Sequence, residues 1–498
     1  MNIHFESISN VTNLSKFTCL IFDQNKTMSV EMLNLDKRYN NIISNALKDQ
    51  EFFPGKYGQI STLNIQENEV IKTIILFNIG DEASVDTVMV EDIGAKITCY
   101  SIKLKAQEIS ILLYSKVNTI EIHEFAALLA YGAKLSCYSF DKYKTVKTQV
   151  LNKLSIMLDG FKEAENLYTG YYKPIIKGIK AARNVVNEPS NVLYPESYAS
   201  IIVEHFSGTK VKVKILGESA MEELGMNAIL GVGKGSAKES KLVIMEYYGK
   251  GDDSAPVAFV GKGVTFDTGG ICIKPSNGMW KMKYDMAGSA SVFGAIKALD
   301  LREAKVNVVG VIALVENMPG GNAQNPGDII KTMSGQTVEV LDTDAEGRLI
   351  LADALWYTQK NYKPKIMIDL ATLTGAITVA LGASYAGLFS SDKKIIEELI
   401  ASGKKSGEKL WPMPICKDYS DMMKSDWADL ANLSNPRGLA GSSTAAAFLE
   451  KFTNSIPWAH LDIAGMVWQD SAKNGVNPKG ANGFGVKLLN QLIKDFYE

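Results

Sequence analysis

From Val211 to Leu370 the chain repeats one pattern, a β-branched run followed by helical periodicity, and few architectures accommodate it. Runs at 211–216, 241–247, 257–260, 306–315, 338–341 and 366–370 read as strands, and helices are expected at 220–224, 286–299 and 347–360. Apolar strands separated by helices indicate a largely parallel or mixed sheet with helices on both faces. Ligands of such sheets collect beyond the carboxyl ends of the strands. Acids and lysines concentrate there. The stretch FVGKGVTFDTGGICIKPSNGMWKMKYD, Phe259 to Asp285, offers Lys262, Asp267, Lys274 and Asp285, and LDTDAEGRL, Leu341 to Leu349, offers Asp344, Glu346 and Arg348. Glu316 and Asn317 follow a third strand on the same rim, and Asp344 and Glu346, two apart in an extended chain, would point the same way. Two acid-rich strand exits in one sheet suit hard divalent cations, and their number suits two ions sharing bridging oxygens.

Residues 1 to about 155 alternate short apolar runs with polar turns, as an α/β domain does. Strands are expected at 18–22, 71–77 and 96–100, and helices at 31–47 and 121–132. A polar stretch with a glycine, DGFKEAENL at 159–167, marks a boundary, and a helix over 173–186 bridges to the second domain before Pro189 breaks it. The expected organisation is an N-terminal α/β domain over 1–160, a bridging helix over 161–190 and a catalytic α/β domain over 191–498.

Composition excludes several classes. A chain of 498 residues with 46% hydrophobic content can bury large cores, and a net charge of −2 gives no electrostatic footprint for nucleic acid or membrane. Five scattered cysteines without a CxxC pair fit a reducing cytosol rather than a disulfide framework or zinc ribbon. The N-terminal MNIHFESISN lacks the basic start and apolar run of an export signal. The uncharged stretch from Leu370 to Ser391 is long enough to span a membrane, but threonines, serines and glycines interrupt it. GKG at 261–263 and FDTGG at 266–270 could form a phosphate cradle, yet the GxxxxGK[ST] spacing is missing. The four histidines have no metal-site spacing, and His460 is expected to be structural.

At these residues the chain resembles the leucyl aminopeptidases of peptidase family M17, the cytosolic two-metal type, whose signature NTDAEGRL reads DTDAEGRL here. The likeness extends through ARNVVNEPSN (182–191), Gly261 to Gly288, ENMPGGNAQNPGD (316–328), ATLTGA (371–376), DWADLAN (426–432), AGSSTAAAFL (440–449), WAHLDIAG (458–465) and GFGV (483–486). Before Asp159 it thins, as befits a smaller, variable N-terminal domain beside a larger catalytic one.

The resemblance implies hydrolysis of the N-terminal residue of peptides, leucine-like residues preferred, by a metal-bridging hydroxide. It implies two divalent ions per subunit, Mn2+ or Zn2+ with Mg2+ as a further candidate. Asp267 and Glu346 match bridging ligands, Asp344 a ligand of one ion, and Lys262 and Asp285 ligands of the other. Lys274 matches the catalytic lysine, and Arg348 the arginine that holds a bicarbonate acting as general base. Met282, Thr372, Gly375 and Ala464 match an apolar side-chain pocket, with Met466 or Val467 as its last wall. A homohexamer and a cytoplasmic location are implied, with no membrane partner. The resemblance also brings DNA as a second class of partner, because some members bind it; the near-neutral charge and the lack of a long basic stretch argue against it. Asp342 stands where the family has asparagine and adds a negative charge beside the expected ions.

Overall fold

The N-terminal alternation folds into one six-stranded sheet. Its strands are β1 (Asn2–Glu6), β2 (Phe17–Phe22), β3 (Ile60–Glu67), β4 (Val70–Asn78), β5 (Glu108–Leu112) and β6 (Lys153–Met157), in the order β1-β6-β5-β2-β4-β3. All pairs are parallel except β3 with β4. The single helix expected over 31–47 is two, α1 (Val30–Arg38) and α2 (Ile42–Lys48). Asn40 and Asn41 adopt left-handed backbone between them, and the buried Asp36 carboxylate accepts from the Ile43 and Ser44 amides at 2.8 and 3.0 Å, satisfying the start of α2.

The strand expected at 96–100 is instead part of a helix, α3 (Thr87–Lys103), packed on α4 (Ile122–Ser136). A Cβ on Gly94 would fall 2.1 Å from the Leu129 carbonyl oxygen, and one on Gly132 would fall 1.8 Å from that of Glu91. The two helices therefore touch backbone to backbone, and Val90, Ile93 and Ile97 bury one face at helical spacing. This packing outweighs the strand preference of the β-branched residues at 97 and 98.

A computed structural model of the chain describes residues 1–11, 13–67, 69–114, 120–252, 254–472 and 475–498. They form two units, one of residues 1–176 with 469–479, the other of 177–468 with 480–498. After α5 (Phe161–Leu167), the division falls inside α6 (Lys173–Asn187).

The second unit opens with α7 (Pro195–Phe206), β7 (Lys212–Leu216), α8 (Glu218–Glu223), α9 (Asn227–Gly233) and β8 (Lys241–Tyr248). Next come β9 (Val257–Asp267), α10 (Ala287–Leu301), β10 (Asn307–Asn317), β11 (Ile329–Lys331), β12 (Thr337–Glu339) and α11 (Gly347–Tyr362). They are followed by β13 (Ile366–Ala371), α12 (Gly375–Leu381), β14 (Ala386–Phe389), α13 (Lys393–Ser406), β15 (Leu410–Met413) and α14 (Lys417–Asp421). The last elements labelled are β16 (Leu430–Ala431), α15 (Gly441–Glu450), β17 (Trp458–Asp462) and α16 (Val486–Phe496).

Eight strands form a mixed sheet, β15-β14-β17-β13-β9-β10-β8-β7, with β9 parallel to both its neighbours. β9 does not end at Val260 but runs on through Gly261 and Gly263 to Asp267. These glycines serve packing: a Cβ on Gly261 would sit 2.6 Å from Ser289 Cα of α10, while the next residue, Lys262, lies against Gly347 of α11. Consecutive strand residues face opposite ways, so α10 covers one face and α11 the other. The stretch 370–391 contributes β13, α12 and β14, and no helix among the described residues is long and apolar enough to cross a membrane.

The acid-bearing segment 342–346 does not leave a strand of this sheet. β12 belongs to a separate three-stranded sheet, β11-β12-β16. Its sequence shows why. Val338 and Val340 are buried while Thr337 and Glu339 are half-exposed, the alternation of a strand covered on one face only.

The first turn of α9 and the Met333 turn are tied to α11 by one carboxylate. Asp353, fully buried, accepts from the Ala228, Ile229 and Met333 amides at 2.9, 3.1 and 2.8 Å. Asp353→Ala leaves two buried donors and one half-buried donor unpaired, each buried one at about 1–3 kcal/mol, so a loss of at least ~2 kcal/mol is expected in urea denaturation. A loss below ~1 kcal/mol would contradict this account.

Candidate metal centre and active site

Lys262 and Asp267 are five residues apart, and strict alternation along a strand would send them to opposite faces. A bulge corrects this. Val264 pairs with Val315 and Phe266 with Glu316, leaving Thr265 as an extra residue that reverses the phase. Both side chains therefore reach one side at the end of β9. Gly347 gives Lys262 its room, since a Cβ there would lie 2.6 Å from Lys262 Cε and 2.9 Å from its Nζ.

The buried Lys262 ammonium meets Asp285 Oδ1 and Oδ2 at 2.9 and 2.8 Å, Glu346 Oε1 at 2.8 Å and the Thr372 carbonyl at 2.9 Å. Lys274 Nζ lies 2.8 Å from Asp267 Oδ2 and 2.5 Å from Asp344 Oδ1. Asp267 Oδ1 accepts from the Gly269 amide at 2.9 Å and Asn317 Nδ2 at 2.8 Å. Gly269 and Gly270 turn the chain with positive φ; a Cβ on the first would meet the Cys272 carbonyl at 2.4 Å and Asp344 Oδ1 at 2.9 Å. Oxygens of Asp267, Asp344 and Glu346 all lie within 4.8 Å of one another. Asp344 and Glu346 do not owe their shared direction to an extended chain: the segment is a turn, and Glu346 has helical backbone at the start of α11.

This set of donors fits divalent ions. Asp285 Oδ2, Asp344 Oδ1 and Glu346 Oε1 are buried and face a lysine nitrogen without hydrogen-bond geometry, so each is an acceptor still open to a cation. Burial, then the neighbouring carboxylates, raises the Asp285 and Glu346 carboxyls and pushes Asp344 up to about 7. Burial opposes charge on both lysines too, but the surrounding carboxylates outweigh it and hold them as ammonium ions.

Arg348 lies next to this cluster in sequence and is buried, and its Nε has no partner. Burial lowers its pKa to about 10 against the pull of Glu346, Asp462 and Asp342. A buried guanidinium with an open donor is suited to an anion. The extra charge of Asp342 is matched locally: Oδ2 pairs with Arg437, Oδ1 accepts from the Asp344 amide at 2.9 Å, and Asn432 Nδ2 donates to the Asp342 carbonyl at 2.6 Å.

Of the expected pocket residues, Thr372 is tied directly to the charged cluster, its hydroxyl donating to Asp285 Oδ1 at 2.7 Å. Gly375 begins α12 and opens on free space, Ala464 follows β17, and Met282 lies in a short 3-10 turn, Met279–Tyr284. Val467 is buried and Met466 half-exposed. His460 is buried on Asp369, its Nδ1 2.7 Å from Oδ1, apart from the carboxylate trio. Two supports escaped the sequence reading: Gly347, which accommodates Lys262, and Asp462, which braces the Thr372 loop. Both lie inside motifs quoted for the resemblance, but their roles depend on chains that meet only in the fold.

Fold and site together define a class, a two-unit α/β enzyme with a carboxylate-rich metal centre at the end of a central strand. The model of the cytosol aminopeptidase family catalytic domain matches residues 180–490, and that of the family's N-terminal domain matches residues 20–147. A probable cytosol aminopeptidase of Rickettsia bellii (strain OSU 85-389) is 46% identical over 485 residues, 96% of each chain. One of Rickettsia felis (strain ATCC VR-1525 / URRWXCal2) is 44% identical over 502 residues, 100% of each. Among solved structures, the bottromycin maturation enzyme BotP in complex with Mn superposes with a TM-score of 0.83 at 26% identity, covering 97% of this chain and 100% of that one. The chain belongs to the cytosol aminopeptidase family, peptidase family M17, and is a metal-dependent aminopeptidase.

Metal binding must displace protons from this cluster. With Asp344 near 7, affinity for Mn2+ should rise as pH rises from 6 to 8, with net proton release seen by calorimetry in buffers of different ionisation enthalpy. The metal-free fold should behave oppositely. Its raised carboxyl retains a proton that the unfolded chain has lost, so this group lowers stability as pH rises from about 4 to about 7. Mn2+ affinity independent of pH over 6–8 would refute the linkage.

Proposed function

We propose that this enzyme removes leucine-like residues from the free N-termini of peptides, using two divalent ions held by Lys262, Asp267, Asp285, Asp344 and Glu346. The observation that carries the reading is the grouping of three carboxylates within 4.8 Å, their charge offset only in part by the two flanking lysines. Asp267 and Glu346 would be ligands common to both ions, Asp344 a ligand of one, and Lys262 with Asp285 ligands of the other. When bound, the ions supply an acidified water and a Lewis acid for the scissile carbonyl. Mn2+, Zn2+ and Mg2+ are all candidates, because oxygen-rich sites discriminate weakly among them.

Lys262, an ammonium bound to Asp285 and Glu346 here, would give up its proton to act as a ligand. Lys274, partly exposed and paired with Asp267 and Asp344, would stabilise negative charge developing on the scissile carbonyl oxygen. Arg348, buried with an open donor, would hold bicarbonate, which would supply the general base. Met282, Thr372, Gly375 and Ala464 line the side-chain pocket, whose small and apolar groups favour leucine-like residues. The requirement for a free α-amine restricts cleavage to the first residue. We place the enzyme in the cytoplasm as a homohexamer, by its family.

Chelation should abolish hydrolysis of leucine p-nitroanilide, and Mn2+ should restore it; full activity in protein shown to be metal-free would end the reading. N-acetyl-leucine substrates should not be cleaved.

The two lysines separate in mutagenesis. Lys262→Arg should weaken one metal, because guanidinium supplies no usable lone pair. Lys274→Ala should retain both ions and lower kcat by about 10²-fold. Metal content by mass spectrometry beside kinetics decides: two tight ions in Lys262→Arg, or lost metal in Lys274→Ala, would reverse the roles.

A further inference from the structure

The chain leaves β13 and β17 side by side, with Ala371 paired to Asp462 and the Ile463 amide donating to the Ala371 carbonyl at 2.8 Å. Asp462, 1% exposed, lies beneath the loop that follows β13. Its Oδ2 accepts a 2.6 Å hydrogen bond from the Thr374 hydroxyl. Its Oδ1 faces three amides at longer range, Leu373 at 3.2 Å, Ala464 at 3.3 Å and Thr374 at 3.5 Å. One buried carboxylate thus gathers the exits of two parallel strands.

Each contact leads to the site. The Thr374 hydroxyl both donates to Asp462 and accepts from the Ile377 amide at 3.1 Å, so the carboxylate sets where α12 starts and where Gly375 stands. The Ala464 amide is a direct partner. Two residues before Thr374, Thr372 presents its hydroxyl to Asp285 at 2.7 Å and its carbonyl to Lys262 at 2.9 Å. The loop is held at one end by the charged cluster and at the other by Asp462.

We propose that Asp462 is a positioning residue that sets substrate specificity, fixing the wall formed by Thr372, Gly375 and Ala464 through its bonds to Thr374 and Ala464. The inference rests on the reading that these residues line the side-chain pocket. Asp462 touches no substrate. Its effect is the depth and shape of the cavity, so its loss should fall on discrimination between side chains more than on the chemical step. A site that distinguishes leucine from alanine by apolar fit gains roughly 10–200-fold per methylene, which a displaced wall would erode.

The test compares kcat and KM on leucine and alanine p-nitroanilides for the wild type, Asp462→Asn, Thr374→Val, Thr374→Ser and Gly375→Leu, with metal content of each. Asp462→Asn replaces the acceptor facing Thr374 or the amides with a donor, and Thr374→Val removes the hydroxyl while keeping the shape. In both, the leucine-to-alanine ratio of kcat/KM should fall about tenfold, mainly through KM for leucine, with two metals retained; Thr374→Ser should restore it. A ratio within about twofold of wild type in either folded variant would overturn the proposal, and Thr374→Val carries the test alone if Asp462→Asn does not fold. Gly375→Leu fills the space into which Gly375 opens. If it leaves leucine turnover intact, the pocket reading itself fails; if it blocks leucine while the Asp462 and Thr374 variants keep the ratio, only the present inference fails.

Discussion

Three carboxylates, Asp267, Asp285 and Glu346, lie almost wholly out of water in one corner of this fold, with Asp344 at their edge. So much negative charge in a poorly solvated volume is tolerated only if protons, lysines or metal ions neutralise it. Both of the first two are at work: burial raises the Asp285 and Glu346 carboxyls, and two ammonium groups are inserted among the oxygens. Metal ions are the third, and the family's metal dependence together with the acceptors left open here makes this corner the candidate place for them. Lys262 occupies that corner as an ammonium bound to Asp285 and Glu346.

The scaffold is built to keep these charges in place. β9 is central in its sheet, parallel to both neighbours, so its end cannot shift without moving β10 and β13. The extra residue at Thr265 brings Lys262 and Asp267 to one side, and Gly347 lets α11 approach closely enough to deliver Glu346 and Arg348. Asp353 holds the same helix to α9, and Asn432 ties the segment before it. Asp342 fits this account. Its carboxylate does not face the cluster unpaired but binds Arg437 and the Asp344 amide, contributing to the turn that aims Asp344.

Much of this was legible in the residues. Strand and helix alternation along the second unit reads directly, because apolar periodicity reflects burial that every strand of a covered sheet shares. The acids and lysines declare themselves by chemistry and density. Errors arose where local preference met a tertiary contact: residues 96–100 look like a strand yet lie in α3, where glycines 94 and 132 permit backbone contact between helices. The run at 338–341, read as a strand of the main sheet, instead lies at β12 of a separate small sheet, because which strands become neighbours is not written in the local pattern.

The sequence by itself determined the fold class, the family and the identity of the charged residues, since these follow from periodicity, residue chemistry and the DTDAEGRL and KGVTFDTGG motifs. Only the tertiary structure decided how those residues meet. Lys262 and Asp267 share a side because of a register shift visible only when β9 is laid beside β10, and Asp462 supports Thr374 from 88 residues away. Such contacts depend on which strands are neighbours and in what register, a property of the whole packed chain that no local pattern carries.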